Sequence, residues 1–223
     1  MDKRLLQLTA IEQRKIFEKQ ANLVIREVKS SVIENKKVTA ISGIRRSGKS
    51  TLLKQIANNL QGYYYLNFED ERLIDFTYSD FNKLYEVFLE NFGEQTIFLF
   101  DEIQNIYGWE KFVRRLFDEG NKVFVTGSNA KLLSSELATS LTGRHLKLEL
   151  FPFSFKEFLS YKNVKIKKFY DTKEKSLVVN YCREYLKSGG FPEIIISRDI
   201  EELKQLYQDI ILKDLIVRFK IRD

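Results

Sequence analysis

The sequence is poor in the residues that most often bind zinc, since its 223 residues include one cysteine and one histidine. An internal disulfide and a structural Cys/His zinc site are therefore both excluded. Cys182 lies in a stretch with a helical pattern, which favours a packing thiol over a reactive one. His145 has no Ser or Asp partner pattern typical of catalysis, and we interpret it as a residue at the start of a strand.

Proline and glycine are also scarce, at 2 and 10 residues, which leaves little room for disordered linkers. No apolar run reaches the roughly 20 residues of a membrane-spanning helix, and the first residues lack the apolar segment of a signal peptide. These absences predict an ordered, soluble, cytoplasmic protein. The length accommodates one large α/β domain with a small one appended.

The net charge is +6, but basic and acidic residues are interspersed, and we find no aromatic motif typical of RNA binding. This pattern favours a solvated surface over a nucleic-acid face. DNA binding stays open as an alternative, because a basic balance is also typical of DNA-binding proteins.

The strongest motif is residues 43–50, G-I-R-R-S-G-K-S, which match the phosphate-loop pattern G-x-x-x-x-G-K-[ST] at every position. Residues 37–42 before it are β-prone, and residues 51–60 after it carry an apolar helical stripe. Backbone N–H groups at such a strand–loop–helix junction have no internal partners and point at a bound phosphate. The motif therefore predicts a nucleotide-phosphate site.

Each part of this loop has an expected role. The two glycines allow a tight turn and close approach, Lys49 reaches the β- and γ-phosphates, and the Ser50 hydroxyl ligates Mg²⁺. Two arginines make the loop more cationic than the motif demands. The predicted binding residues are Gly43, Ile44, Arg45, Arg46, Ser47, Gly48, Lys49, Ser50 and Thr51.

A second site element follows the apolar run I-F-L-F of residues 97–100, which predicts a strand buried on both faces. A carboxylate pair ends this strand. Asp101 is placed to hold Mg²⁺ opposite Ser50. Glu102 points differently and is our candidate for the base that activates water.

Polar residues also follow the other predicted strands. After the strand at 62–68, Asn67, Glu69 and Arg72 either support the site or form a solvated turn. After the strand at 121–126, Ser128 or Asn129 either senses a phosphate or caps the next helix.

Arg144 precedes the strand at 145–150 and is either an arginine finger, for this site or a neighbour's, or a surface arginine.

The remaining patterns are helical. They predict a helix over residues 8–35 broken once, one over 79–92 capped by Ser79, and one over 109–119. Residues 151–223 are expected to be helical throughout. The predicted helices there begin with Ser154 in a capping box with Glu157, cover 173–187 up to a glycine stop, and run from 200 to about 219.

The motifs taken together, G-I-R-R-S-G-K-S-T-L-L, Y-L-N-F-E-D-E-R-L, F-L-F-D-E-I-Q, V-T-G-S-N, L-T-G-R and L-F-P-F-S-F-K-E-F, resemble the AAA-like P-loop ATPases of archaea and bacteria over nearly the whole chain. The resemblance implies an α/β three-layer sandwich on a mostly parallel five-stranded sheet of order 5-1-4-3-2. It also implies a helical arm (1–35), an ATPase core (36–152) and a helical lid (153–223).

The same resemblance implies site roles. Residues 43–50 and the Asp101–Glu102 pair are similar to the family's Walker A and Walker B motifs, with Lys49, Glu102 and Arg144 as catalytic residues and ATP and Mg²⁺ as ligands. Gly190 and Pro192 resemble the family's Gly-x-Pro module near the adenine. Family members usually continue with a winged-helix segment and a nuclease-like domain, so we expect the natural chain to be longer.

Three functions fit these features. The favoured one is an ATPase that converts hydrolysis into a conformational change, alone, as a homo-oligomer or with a partner protein. The second is an ATP-gated switch or adaptor that turns over slowly; it shares every binding residue but does not need Glu102 or Arg144. A small-molecule kinase is disfavoured, because we find no acceptor pocket and no arginine-rich lid.

Overall fold

A computed structural model describes residues 1–19, 24–28, 30–128 and 141–210. The chain divides into two compact units. The first unit comprises Met1–Leu23, Val28–Gly43 and Lys49–Leu150, and the second comprises Val24–Glu27, Ile44–Gly48 and Phe151–Asp223. The phosphate-loop motif is therefore divided between the two units. Gly43, Lys49 and Ser50 belong to the first unit, and Ile44–Gly48 belong to the second.

A five-stranded parallel sheet forms the centre of the first unit, in the order β2-β3-β4-β1-β5. Its strands are β1 (Val38–Gly43), β2 (Tyr64–Asn67), β3 (Ile97–Asp101), β4 (Lys122–Ser128) and β5 (His145–Glu149). This confirms the predicted order 5-1-4-3-2 of a P-loop NTPase. Strand β3 is buried on both faces, since Phe98 and Phe100 enter one core cluster and Leu99 the other.

Helices cover both faces of this sheet. Helices α1 (Lys3–Glu18), α4 (Phe81–Phe92) and α5 (Trp109–Asp118) pack with the cluster around Phe98, whereas α3 (Lys49–Ala57) packs with the cluster around Leu99. Helix α2 (Ser30–Glu34) is short and precedes β1. None of the helices in the described ranges is both long enough and apolar enough to cross a membrane.

Two helix predictions for this unit were wrong in detail. The pattern at 8–35 does contain two helical parts, α1 and α2, but the interruption is longer than a single break, because α1 ends at Glu18 and residues 24–28 form no regular element. Ser79 does not cap the helix at 79–92. Instead, a 3₁₀ turn precedes α4, and the Asp80 carboxylate accepts hydrogen bonds from the Thr77 N–H (3.0 Å) and the Thr77 hydroxyl (3.1 Å).

The second unit is helical, with α6 (Phe155–Tyr161), α7 (Thr172–Ser188), α8 (Pro192–Ser197) and α9 (Ile200–Asp209). The capping box of Ser154 and Glu157 is confirmed, and α7 ends at Ser188 with Gly189 as its C-cap, whose positive φ of 71° favours glycine, as the glycine stop predicted. Its small core contains Phe153, Phe158 and Ile195. Helix α8 lies in the region predicted to be helical, although no separate bounds were predicted for it, and residues 211–219 of the last predicted helix lie outside the described residues.

Candidate nucleotide-binding site

The carboxyl ends of four strands meet at one edge of the sheet. In the parallel register Asn67 lies beside Asp101, and Gly43 lies beside Ser128. Helix α3 begins at Lys49, after the phosphate loop that leaves β1. This edge therefore brings together the predicted residues Lys49, Ser50, Asp101 and Glu102.

Lys49 is buried, with 6% of its surface exposed. Its ammonium lies 3.3 Å from the backbone oxygen of Gly43 and 3.5 Å from Oε1 of Glu102. The predicted phosphate-binding cation and the predicted base are thus an ion pair in this structure. A phosphate bound at this loop would compete with Glu102 for the same ammonium.

Asp101 is almost fully buried, at 1% exposure. Burial raises the pKa of its carboxyl, and hydrogen bonds with the Ser50 and Thr126 hydroxyls oppose this rise. Its Oδ1 accepts a hydrogen bond from the Thr126 hydroxyl. Its Oδ2 is buried and has no hydrogen-bond partner of good geometry in the described part of the chain.

This arrangement fits the predicted Mg²⁺ site. A buried carboxylate oxygen without a partner costs free energy unless a cation or water reaches it, and Ser50 beside it is exposed. Mg²⁺ in nucleotide sites is typically held by one or two protein oxygens, phosphate oxygens and waters. The described residues include no group of three or more His, Cys, Asp or Glu side chains that could hold a metal ion.

Glu102 adopts a left-handed backbone conformation (φ 50°), which turns the chain after β3. Its side chain is 19% exposed, and its Oε2 accepts a hydrogen bond of 2.5 Å from the Gln104 amide. Its backbone N–H donates to the Thr126 hydroxyl at 3.0 Å. The structure therefore gives the two adjacent carboxylates different environments, a buried one for Asp101 and a half-buried one for Glu102.

Sequence reasoning missed Thr126 and Gln104. The Thr126 hydroxyl accepts from the backbone of Glu102 and donates to Asp101, so one side chain of β4 orders both acidic residues. A signal for Gln104 was present in the motif D-E-I-Q, where a residue two positions after the glutamate can bond back to it. Thr126 gave no such signal, since its contacts depend on the pairing of strands 25 residues apart.

The middle of the phosphate loop belongs to the second unit. Arg46 has a left-handed backbone (φ 61°), and its Nη1 lies 2.8 Å from both carboxylate oxygens of Glu193. Gly48 has φ 94°, a conformation that favours glycine. Ser47 is buried, whereas Ile44 is half-buried and Arg45 is exposed.

The G-G-F-P-E stretch has a structural role within the second unit. The Phe153 N–H donates to the Gly190 oxygen at 2.6 Å, and a Cβ on Gly190 would lie 2.4 Å from the Phe153 oxygen. Glycine is therefore required at position 190. Pro192 begins α8, where its missing N–H costs nothing. Their contact with adenine stays a prediction.

Residues after β2 surround a cavity of about 500 Å³ in the first unit that also reaches Ser50 and Thr51. Gln13 of α1 fixes this turn, because its amide donates to the Asn67 oxygen (3.1 Å) and to Asp70 (2.8 Å). The pKa of Asp70 is held well below its usual range, mainly by the hydrogen bond from Arg72. Arg72 thus pairs with carboxylates of the turn and of α1, while Asn67 and Glu69 line the cavity.

The remaining predicted residues lie elsewhere. Arg144 is at the amino end of β5, where its oxygen accepts from the Val38 N–H (2.9 Å) and its guanidinium lies 3.5 Å from Asp118. Gly43 is at the opposite end of the same pair of strands. Ser128 is the last residue of β4, and Asn129 lies outside the described residues.

The strand order and the phosphate-loop motif together define a P-loop NTPase of the AAA-like class. The sequence profile of a family described as an AAA domain matches residues 35–159, more than half of the chain. The chain belongs to this family of nucleotide-binding, ATPase-type domains.

Two relatives have no assigned function. An uncharacterized protein of Methanocaldococcus jannaschii is 42% identical over 100% of this chain and 52% of its own length. An uncharacterized protein of Haemophilus influenzae is 38% identical over 83% of this chain and 48% of its own length. The chain therefore spans about half the length of these relatives.

Among solved structures, domain III of the Thermotoga maritima replication initiation protein DnaA matches with a TM-score of 0.40 and 16% identity, over 77% of this chain and 86% of that one.

Proposed function

We propose that this chain binds Mg·ATP at the carboxyl edge of the sheet and hydrolyses it. The observation that carries this proposal is the different environment of two adjacent carboxylates. Asp101 is buried, and one of its oxygens has no hydrogen-bond partner of good geometry, which suits a metal, whereas Glu102 is half-buried beside the ammonium of Lys49. Two carboxylates with distinct environments suit the distinct roles of metal ligand and general base.

The residues would divide the work as follows. Lys49 leaves Glu102 for the β- and γ-phosphate oxygens, and this exchange frees the Glu102 carboxylate to accept a proton from the attacking water. Gln104 holds that carboxylate through its second oxygen. Ser50 and Asp101 would hold Mg²⁺, which neutralises the charge that develops on the phosphates. Nucleotide state would then act on the helices of residues 153–223 as a lid.

One observation favours the alternative of a slow ATP-gated switch. The ion pair between Lys49 and Glu102 occupies the candidate base. A site that keeps this pair after ATP binds would retain its nucleotide without rapid turnover. The two functions share their binding residues and differ in whether Glu102 is released.

We further propose that Arg144 acts on a neighbouring copy. It lies at the end of β5 remote from Gly43, which argues against action on its own phosphate loop. Mixing Arg144→Ala with Lys49→Ala should then restore turnover that neither variant shows alone. Full activity of Arg144→Ala by itself would contradict this role. Phosphate sensing by Ser128 or Asn129 and adenine contact by Gly190 and Pro192 remain predictions.

The test of the function is phosphate release from Mg·ATP measured beside ATP binding, with and without double-stranded DNA. We expect turnover that requires Mg²⁺. Tight binding without turnover would favour the switch, and absence of binding would contradict both functions. Stimulation by DNA would identify the class of partner, whereas no stimulation would favour a protein partner or a homo-oligomer.

A further inference from the structure

Arg26 is a buried cation that the hydrolysis scheme above does not use. It lies in the segment of residues 24–28 and is 7% exposed. Within the second unit its Nη1 donates to the Ser47 oxygen (3.1 Å), its Nη2 donates to the Phe151 oxygen (2.6 Å), and its Nε lies 2.9 Å from Glu157. The guanidinium also lies over the Phe153 ring, 4.9 Å from its centroid.

These contacts fix the guanidinium in one orientation. Burial lowers the pKa of Arg26 and Glu157 opposes this shift, so the carboxylate stabilises the buried cation. Glu157 is itself held, because its other oxygen accepts from the Ser154 N–H (2.8 Å) and hydroxyl (2.9 Å) in the capping box of α6. The forked guanidinium therefore reaches the phosphate loop from a rigid support.

The contact at Ser47 determines how one peptide of the loop is turned. The C=O of Ser47 and the N–H of Gly48 belong to one planar trans peptide and point in opposite directions. Because Arg26 holds this C=O, the Gly48 N–H is directed away from Arg26. Backbone N–H groups of this loop are the groups that bind phosphate.

We propose that Arg26 is a positioning residue of the phosphate loop, which turns the Ser47–Gly48 peptide so that the Gly48 N–H can bind a phosphate. This inference rests on the proposed nucleotide binding. It assigns Arg26 an effect on the phosphate part of the ligand alone, although Arg26 itself does not contact that ligand. It also links the loop to the start of α6, because the same guanidinium holds Glu157.

The experiment compares calorimetric titrations of Arg26→Gln and wild type with Mg·ADP and with magnesium pyrophosphate. Because Arg26→Gln loses one charge-assisted hydrogen bond, we expect its affinity to be at least about tenfold weaker than that of the wild type. The factor should be similar for both ligands. The matched control is Lys156→Gln, which breaks an ion pair with Glu27 in the same unit. Both side chains of this pair are 57% exposed, and the variant should change neither affinity.

If Arg26→Gln does not fold, the same titrations are made with Arg26→Lys, which keeps the positive charge but loses the forked N–H donors of the guanidinium. Unchanged affinities in the folded variant would overturn the proposal. So would a loss for Mg·ADP without a loss for pyrophosphate, because the effect would then lie outside the phosphate loop. Absence of binding by the wild type would instead contradict the proposed function, and the inference with it.

Discussion

The sheet edge and the phosphate loop are held in place by different kinds of contact. Asp101 ends a strand with neighbours on both sides, and Thr126 on the next strand bonds to it and to Glu102. In the loop, Ser47 is held by Arg26, 21 residues away, and Arg46 by Glu193, 147 residues away. The carboxylates thus lie at the end of a paired strand and contact a side chain of the neighbouring strand, whereas the loop is held by Arg26 and Glu193, which lie outside the sheet.

The two loop contacts also differ from each other. The pair of Arg26 and Glu157 is buried, at 4% and 9% side-chain exposure, whereas that of Arg46 and Glu193 is 46% and 42% exposed. Breaking a buried pair leaves an uncompensated charge, while an exposed pair is screened by water and salt. We therefore expect the buried contact of Arg26 to stabilise the loop more than the exposed contact of Arg46 does.

The largest effect is expected from Lys49→Ala, which removes the cation from the sheet edge. ATP binding should become less favourable by about 2–5 kcal/mol, which is the usual cost of removing one partner of a buried charge pair. Titration with Mg·ATP measures this loss. Lys111→Ala, an exposed lysine of α5, is the control and should bind as the wild type does. Wild-type affinity in Lys49→Ala would show that the phosphates bind elsewhere.

Next in size is Thr126→Val, which removes the hydroxyl that joins the two carboxylates. The free energy of unfolding should fall by about 1–3 kcal/mol, because buried polar groups lose their partner. Turnover should fall as well, since both acidic residues lose their support. Urea unfolding and steady-state kinetics measure the two effects. Thr126→Ser keeps the hydroxyl and should retain most of the stability and most of the turnover. A loss in the serine variant as large as that in the valine variant would contradict a role of the hydrogen bonds.

A smaller effect is expected from Gln104→Leu, which leaves the carboxylates in place but removes the donor to Glu102. We expect kcat to fall about tenfold, which corresponds to one hydrogen bond to a charged group, with little change in ATP affinity. Steady-state kinetics separate the two quantities. A changed ATP affinity with unchanged kcat would assign Gln104 to binding instead.

The smallest effect is expected from Glu193→Gln, which breaks the exposed pair of the loop. The free energy of unfolding should change by at most about 1 kcal/mol, and 1 M salt should remove the difference. Glu157→Gln is the buried counterpart and should destabilise the protein more, with little dependence on salt. Equal effects of the two variants in urea unfolding would show that burial does not determine how much these contacts stabilise the protein.

Local signals account for what the sequence predicted. The phosphate loop, the apolar run of β3 and the carboxylate pair after it are contiguous segments, and the periodicity of neighbouring residues indicates their structure. The strand order came from the family resemblance and is confirmed. These features need no knowledge of distant contacts.

Arg26 and Thr126 escaped prediction because their roles arise from distant partners. Arg26 lies in a stretch whose apolar spacing resembles a helix, and its contacts are at residues 47, 151 and 157. Thr126 is one polar residue in an apolar strand, and only the pairing of β3 with β4 shows what it bonds. Tertiary contacts, which local patterns do not encode, decided both cases.

The most direct test of the account is steady-state phosphate release at saturating Mg·ATP for wild type and Glu102→Gln, with ATP affinity measured on the same samples. Glu119→Gln, at the exposed end of α5, is the control. The account predicts that Glu102→Gln binds ATP as the wild type does and releases phosphate about 10²- to 10⁴-fold more slowly. Turnover at the wild-type rate in Glu102→Gln would contradict the assignment of Glu102 as the base.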